Sequence, residues 1–307
     1  MDLRQLTYLV AVCDEGGIRA AARRLHISQP QISQALRRLE RELGVELMRR
    51  SSRGIVLTAE GEELVAHGRD ILERIGAART ALRRMADHRS STLRVGVVAG
   101  VLSAGELLAP ILAAYRAARP EVGLRLEDLA FCDQVSPLVQ GTVDAAIVRA
   151  PISHPELVVT PIAEEPRVVM VPATHELSGA DSVDIEDILR FPMLPLSSAE
   201  EWADFWQLND ERGGPYCDQD VAPARTVPEA QLAVATRSVI ITSPAALGRL
   251  APNPLIRAIK LTGVAPTIIA VAHKRRDGRR AVREFVQTAQ ATAERDIDVL
   301  PDGALPR

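Results

Sequence analysis

The sequence is poor in the residues that catalytic and metal chemistry needs in clusters. It has three cysteines in 307 residues. Cys13, Cys132 and Cys217 are far apart and odd in number, which excludes a disulfide framework and a zinc spacing. They are expected to be buried small hydrophobes rather than redox sensors. The six histidines, at positions 26, 67, 88, 154, 175 and 273, form no metal-ligand pattern. GxSxG, Walker, strand-borne GxGxxG and HExxH motifs are all missing, so no catalytic residue, metal site or cofactor is assigned and an enzyme is not expected. No apolar run is long enough to span a membrane, and the opening MDLRQLTYLVAV carries an acid and lacks a secretory cleavage pattern. A cytoplasmic protein without membrane association is expected. Lysine is nearly absent: Lys260 and Lys274 stand among 37 basic residues, a bias that fits a GC-rich genome and carries no mechanism.

Structure-forming patterns, by contrast, are dense near the start. Ile18, Ala21, Ala22 and Leu25 fall three and four residues apart, on one helical face. His26 and Ile27 interrupt the pattern. Ser28 can cap a second helix, with Gln31 placed to reach back to the cap and Pro30 tolerated in the first turn. Ile32, Ala35, Leu36, Leu39 and Leu43 then form an apolar stripe, with Gln29, Ser33, Gln34, Arg37, Arg38 and Arg41 largely outside it, and Gly44 ends the helix. A basic hairpin follows. From Arg19 to Arg53 there are nine Arg and three Glu, whereas residues 91–307 hold 21 basic and 28 acidic side chains. A helix that buries its apolar stripe and points Gln, Ser and Arg outward is built to read a DNA major groove. The bland alternative is a helical hairpin with a solvated basic face.

The next segment predicts a long helix from Thr58 to about His88, roughly 45 Å at 1.5 Å per residue. Leu64, Ile71, Ala78 and Met85 recur every seven residues, and Ile75 and Leu82 take the alternate positions, the seam of a coiled-coil dimer. Gly61 and Gly68 fall on the same seam, where they would allow a partner backbone to approach. Thr58 is a plausible cap, and Glu60, Glu62 and Glu63 suit the positive end of the helix dipole.

LRQLTYLVAVCDEGG (Leu3 to Gly17), AAARRLHISQPQISQALRRLERELGVELMRR (Ala20 to Arg50) and RGIVLTAEGEEL (Arg53 to Leu64) together resemble the LysR-type transcriptional regulators of bacteria, in order and spacing. The resemblance implies a winged helix-turn-helix in which Gln29, Pro30 and Ser33 reach base edges. It also implies backbone-positioning roles for Arg37, Arg38 and the wing residues Arg50 and Arg53. Gln34 stands where Arg or Lys is frequent in the family, so an amide could replace a phosphate or base contact. Met48 replaces the usual wing aromatic. For Arg41 a solvated or intrahelical ion-paired role is preferred.

Beyond the polar stretch at residues 88–92 the pattern changes to α/β. Strands at Leu93 to Gly100, Val122 to Leu129 and Val143 to Val148 alternate with helices at Ala104 to Ala118 and Val135 to Gln140, predicting a parallel sheet. A second series runs through Val168 to Pro172, helices near Asp184 to Leu189 and Glu200 to Leu208, VPEAQLAVAT and SVIITS. The strand Thr267 to Lys274 and the helix Gly278 to Ala293 are expected to return to the first lobe. The crossings are placed near Ala150-Pro151 and Thr262 to Val264. The expected fold is α/β overall: a head (1–57), a linker and dimerisation helix (58–88) and a two-lobed body (92–307). Lobe 1 is placed at about 92–150 and 265–300, and lobe 2 at about 151–264.

By resemblance, this body is a periplasmic-binding-protein-like effector domain, with VQGTVDAAIV (Val139 to Val148), HEL (His175 to Leu177) and ITSPAAL (Ile241 to Leu247) where the family pattern puts them. Thr236, Arg237 and Ser238 replace a common glycine pair. Effector contacts carried over by position are Ala99, Gly100, Val101, Leu102, Ser103, Phe131, Cys132, Asp133, Leu194, Ser197, Ser198, Thr226 and Ser243. Ser103 could instead cap the next helix, and Phe131 could be core. Phe131, Val101 and Leu102 suggest a partly apolar ligand, whereas many effectors of the family are small carboxylates. The implied partners are double-stranded promoter DNA with an inverted repeat, a small-molecule effector, a second copy in a homodimer that pairs into a homotetramer, and RNA polymerase. Cleft closure would reset the geometry of the bound dimers. The competing reading of the residues alone is a cytoplasmic small-molecule-binding protein whose basic head has a non-DNA partner. Specific DNA retention separates the two.

Overall fold

In a computed structural model the chain divides into two compact units, Met1–Arg83 and Arg84–Arg307. The structure describes all residues except 26, 52–53, 88–91, 219 and 307, and the backbone alone at 50–51, 54–55, 73, 77 and 79–87.

The first unit contains helices α1 (Leu3–Asp14), α2 (Ile18–Arg24) and α3 (Gln29–Leu43), an antiparallel hairpin of β1 (Met48–Ser51) and β2 (Gly54–Leu57), and the long helix α4 (Ala59–Asp87). Helices α1 and α3 are capped by their own sequence. Asp2 accepts from the Gln5 N–H at 2.8 Å while Gln5 Oε1 accepts from the Asp2 N–H at 2.7 Å. At α3, Gln31 Oε1 accepts from the Ser28 N–H at 2.9 Å, with Pro30 in the first turn. Gly44 closes the helix at φ +71°, a left-handed conformation that favours glycine. Leu9, Val12, Ala21, Ile32, Leu36, Leu39 and Leu47 form the core, each large member stabilising the unit by about 1.5–3 kcal/mol on burial. Leu43, expected on the buried stripe, is 40% exposed, because the α3 members of the core end at Leu39.

Helix α4 begins under Thr58, whose Oγ1 accepts from the Gly61 N–H at 3.0 Å and donates to the Glu46 carbonyl at 2.6 Å. The expected role of its glycines needs correction. A Cβ on Gly61 would lie 2.1 Å from the Leu47 carbonyl oxygen, and one on Gly68 would lie 3.3 Å from Val10 Cγ2. Both glycines serve close packing of α4 on its own head, where Val65 joins the core. At 100° per residue, Thr58, Gly61, Val65 and Gly68 share one arc, and Leu64, Ile71, Ile75 and Ala78 share another roughly 90° away. Ile71 and Ile75 are half-buried and Ala78 is exposed. The side chains of Leu82 and Met85 lie outside the described residues.

The second unit begins with β3 (Thr92–Val98), α5 (Leu108–Ala118), β4 (Gly123–Leu129), α6 (Ser136–Gln140), β5 (Ala145–Arg149) and β6 (Leu157–Glu165). It continues through β7 (Arg167–Pro172), β8 (Ser182–Asp184), α7 (Ile185–Ile188), α8 (Glu200–Gln207), α9 (Asn209–Arg212), α10 (Val227–Thr236), β9 (Ile241–Pro244), α11 (Ala246–Leu250) and β10 (Ile256–Thr262). It closes with β11 (Thr267–Lys274) and α12 (Arg280–Asp296). One sheet has the order β4-β3-β5-β11-β6, the other β8-β10-β7-β9. Strand β5 is wholly buried, with Ala145 and Ile147 in one core and Ala146 and Val148 in the other, the two-faced burial of a central strand. Helices α5 and α12 cover the outer face, where Tyr115 meets Phe285 edge to face at 5.3 Å.

Two expectations about this body are corrected. Strands β3, β4 and β5 pair in parallel as expected, but the completed sheet is mixed, since β11 runs antiparallel to both β5 and β6. The chain also does not leave the first lobe at Ala150-Pro151. It turns through residues 150–156 and returns as β6, which pairs with β11 from Leu157 to Glu165. The first crossing is therefore at Pro166, between β6 and β7. The alternation in LVVTPIAEE is broken by Pro161, which an edge strand tolerates because it need not donate there.

Candidate nucleic-acid interface and effector cleft

The exposed side of α3 collects most of the residues expected to contact DNA. Gln29, Pro30, Gln34, Arg37 and Arg38 are exposed and Ser33 is half-buried. Gln29, Pro30, Ser33, Gln34, Arg37 and Arg41 span about 140° of the helix at 100° per residue, opposite Ile32, Leu36 and Leu39. Arg38 flanks this face and pairs with Glu42 at 3.2 Å. Arg41 Nε donates to the Arg37 carbonyl at 3.3 Å. The exposed wing pair Arg49 and Glu46 meets at 2.9 Å. The Arg50 side chain and all of Arg53 lie outside the described residues. Asp14 binds Arg69 of α4 at 2.7 Å, which ties the long helix to α1.

In the second unit a hollow opens where β3 and β5 end, facing β7, β9 and the N-terminus of α10. Its free volume is about 60 Å³, lined by Ala99, Leu102, Phe131, Arg149, Met170, Leu196, Trp202, Trp206, Val227 and Thr242 to Pro244 among others. Of the expected effector contacts, Ala99, Leu102, Phe131 and Ser243 meet here. Gly100, Val101, Ser103, Cys132, Asp133, Leu194, Ser197, Ser198 and Thr226 are not in its lining. Ser103 and Leu194 are fully buried and Val101 is 54% exposed, while Thr226 caps α10, accepting from the Glu229 N–H. Ala99 holds a left-handed backbone, φ +63°, at the end of β3. That conformation costs a non-glycine residue about 1–3 kcal/mol and is typical of ligand-facing turns.

Sequence reasoning missed Arg149, Trp202 and Trp206 of this lining, and Glu165, which pairs with Arg149. Arg149 and Glu165 are 3% and 0% exposed and form an ion pair at 2.6 Å. Arg149 also donates to the Leu102 carbonyl from Nε and Nη2, at 3.1 and 2.8 Å. Its Nη1 has no hydrogen-bond partner among the described residues. Burial pushes this guanidinium below its ordinary pKa, with Glu165 opposing. Glu165 in turn meets Arg249 at 3.2 Å, and Arg249 grips Glu106 at 2.7 Å, so four alternating charges join the two lobes. Trp202, Trp206, Phe205 and Phe131 pack together beside them, with ring centroids 5.1–5.6 Å apart. Arg167, buried over the Phe205 ring at 4.1 Å, is pushed down to about 10 by desolvation.

The cysteines depart from the expected burial: Cys132 is exposed and Cys13 and Cys217 are intermediate. Desolvation nevertheless raises the thiol pKa of Cys132, assisted by Asp133, and that of Cys217, which disfavours the reactive thiolate. Among the described residues no group of three His, Cys, Asp or Glu could hold a metal ion. Among them, too, no helix is long and apolar enough to cross a membrane.

Residues 3–62 match the family model described as the bacterial regulatory helix-turn-helix protein, lysR family, and residues 86–294 match the LysR substrate binding domain. The chain belongs to the LysR family. It is a LysR-type DNA-binding transcriptional regulator with an effector-binding domain. The HTH-type transcriptional regulator AlsR of Bacillus subtilis is 34% identical over 217 residues, 69% of this chain and 71% of AlsR. BenM of Acinetobacter baylyi is 33% identical over 203 residues, 64% of this chain and 66% of BenM. Full-length CbnR, solved in complex with its target DNA, superposes with a TM-score of 0.52 at 25% identity, covering 95% of this chain and all of CbnR. The mixed sheet and the lobe crossing at Pro166 thus belong to a LysR effector domain.

Proposed function

We propose that this LysR-type regulator binds promoter DNA through the exposed face of α3 and the hairpin wing. Gln29, Pro30, Ser33 and Gln34 face base edges, and Arg37, Arg38, Arg50 and Arg53 engage phosphates. The observation that carries this reading is the division of α3 into a face locked by Ile32, Leu36 and Leu39 and an exposed face of amides and guanidiniums, the design of a groove-reading helix. That full-length CbnR, a structural relative, was solved with its target DNA supports DNA binding. Two heads are joined through the α4 seam of Leu64, Ile71, Ile75, Ala78, Leu82 and Met85, a pairing that matches an inverted repeat. Two such dimers associate through their effector domains, and the assembly works in the cytoplasm, without catalysis of its own, on RNA polymerase recruitment. A small molecule in the hollow between the lobes biases their closure and thereby the spacing or bend of the DNA. Enrichment of a random duplex pool by the full-length chain tests the reading. A twofold-symmetric consensus is expected, and recovery of unrelated sequences would contradict it.

A further inference from the structure

The chain has two tryptophans and four phenylalanines, and both tryptophans and Phe131 line one place, the hollow between the lobes, with Phe205 packed on Trp206. Trp202 takes the central position. It is carried on α8 of the second lobe, is 6% exposed, and lies against Phe131 of the first lobe at 5.1 Å. Its indole N–H donates to the Arg149 carbonyl, also in the first lobe, at 3.0 Å. A side chain of one lobe thus fills the hollow and bonds the opposite wall, as a ligand between lobes would.

The consequence is a size limit. An engineered apolar cavity that takes up benzene measures ~150 Å³, and the free volume here is about 60 Å³. That is well short of the ~300–1,000 Å³ of pockets that enclose drug-sized ligands. The remaining walls are apolar, apart from Arg149, Thr242 and Ser243. The buried Nη1 of Arg149 supplies a donor that is free of protein partners among the described residues, suited to an acceptor oxygen on the ligand.

We propose that Trp202 is the specificity-determining residue of this cleft: its indole occupies the space an aromatic effector body would need and restricts the site to ligands smaller than an aromatic ring. The inference rests on the reading of the hollow as the effector site. Removing the indole turns the cleft into an aromatic-binding cavity, on the scale of engineered apolar cavities that take up benzene.

The test uses the full-length chain, Trp202→Ala and indole as the probe, because indole reproduces the deleted group whatever the natural effector is. Free indole emits in the same window as tryptophan, so melting is followed by far-ultraviolet circular dichroism and occupancy by titration calorimetry. Indole at about 100 times its Kd should raise the melting temperature of W202A by about 5–10 °C and that of the unaltered chain by less than about 1 °C. A W202A chain that folds only when indole is present also supports the proposal. No indole uptake by W202A, a chain that stays unfolded in indole, or equal uptake by the unaltered protein overturns it. DNA footprints of W202A with and without indole separate the two layers of the argument. A footprint altered by indole supports both, whereas uptake with an unchanged footprint leaves the size limit standing and removes the effector assignment of the cleft.

Discussion

Replacing Glu165 by glutamine should produce the largest stability loss of any single-atom change in the effector domain. The carboxylate is fully buried, lies 2.6 Å from Arg149 and 3.2 Å from Arg249, and accepts the Ala246 N–H. Glutamine keeps the shape and can still accept from Ala246, but it leaves the Arg149 guanidinium without its opposing charge in a site that is 3% exposed. Breaking a buried pair from one side costs about 3–5 kcal/mol. In a unit spanning residues 84–307 this corresponds to a fall in melting temperature of about 6–20 °C at ~2–4 °C per kcal/mol. Both tryptophans sit beside the pair, so fluorescence-detected melting reports it directly. Arg149→Met should also destabilise, because the Leu102 carbonyl loses two donors. The double variant R149M/E165Q should lose less than the sum of the singles by about 2–3 kcal/mol, the coupling expected of contacting charges. A fall of less than about 3 °C for E165Q, or strict additivity in the double variant, would refute the claim that the pair is a desolvated unit.

Gly61→Ala should destabilise the head by about 1–3 kcal/mol despite alanine's better helix propensity, because its Cβ meets the Leu47 carbonyl at 2.1 Å. Gly68→Ala, with 3.3 Å to a flexible valine methyl, should be close to neutral, and hydrogen exchange in α1 and α4 ranks the two. Gln29→Ala should relax sequence preference, whereas Arg37→Ala should weaken specific and random DNA alike and reduce the salt slope by about one unit. Equal losses on both DNAs for Gln29→Ala would remove its base-reading role. The hydrogen bond to Arg249 holds the Glu106 carboxyl below its ordinary pKa. Its contribution is therefore present above the unfolded value near 4.3 and is lost as pH falls through the depressed folded value. The melting difference between the unaltered chain and Glu106→Gln should be largest at pH 6–8 and vanish at lower pH.

The head was legible in the sequence because its signals are local. The Ser28 and Gln31 cap, Pro30, the Ile32, Leu36 and Leu39 stripe and the Gly44 stop all act within one or two helical turns, and each is found in place. Strands β3 to β5 were legible for the same reason. The β6 edge strand was not, since what identifies it is pairing with β11, more than a hundred residues away. A proline within its pattern points the other way when read alone. The glycines of α4 were assigned to the wrong neighbour, because a heptad shows that a face is apolar or small but not which surface covers it. The cleft was read least completely. Position along the family pattern located Ala99, Leu102, Phe131 and Ser243, while Arg149 and Glu165 meet only because β5 and β6 flank β11 in one sheet, and Trp202 reaches Arg149 only through the packing of two lobes. The sequence carries one signal that could have found them: Trp202 and Trp206 are four residues apart on α8, on one face, in a chain otherwise poor in large aromatics.

Fluorescence anisotropy of the full-length protein, titrated against DNA from upstream of its own gene and a shuffled control at several salt concentrations, tests the central claim most directly. The account predicts tighter binding to the native fragment, with a preference that persists as salt rises and is lost in Gln29→Ala. Equal binding to both DNAs, abolished together by salt, would contradict it.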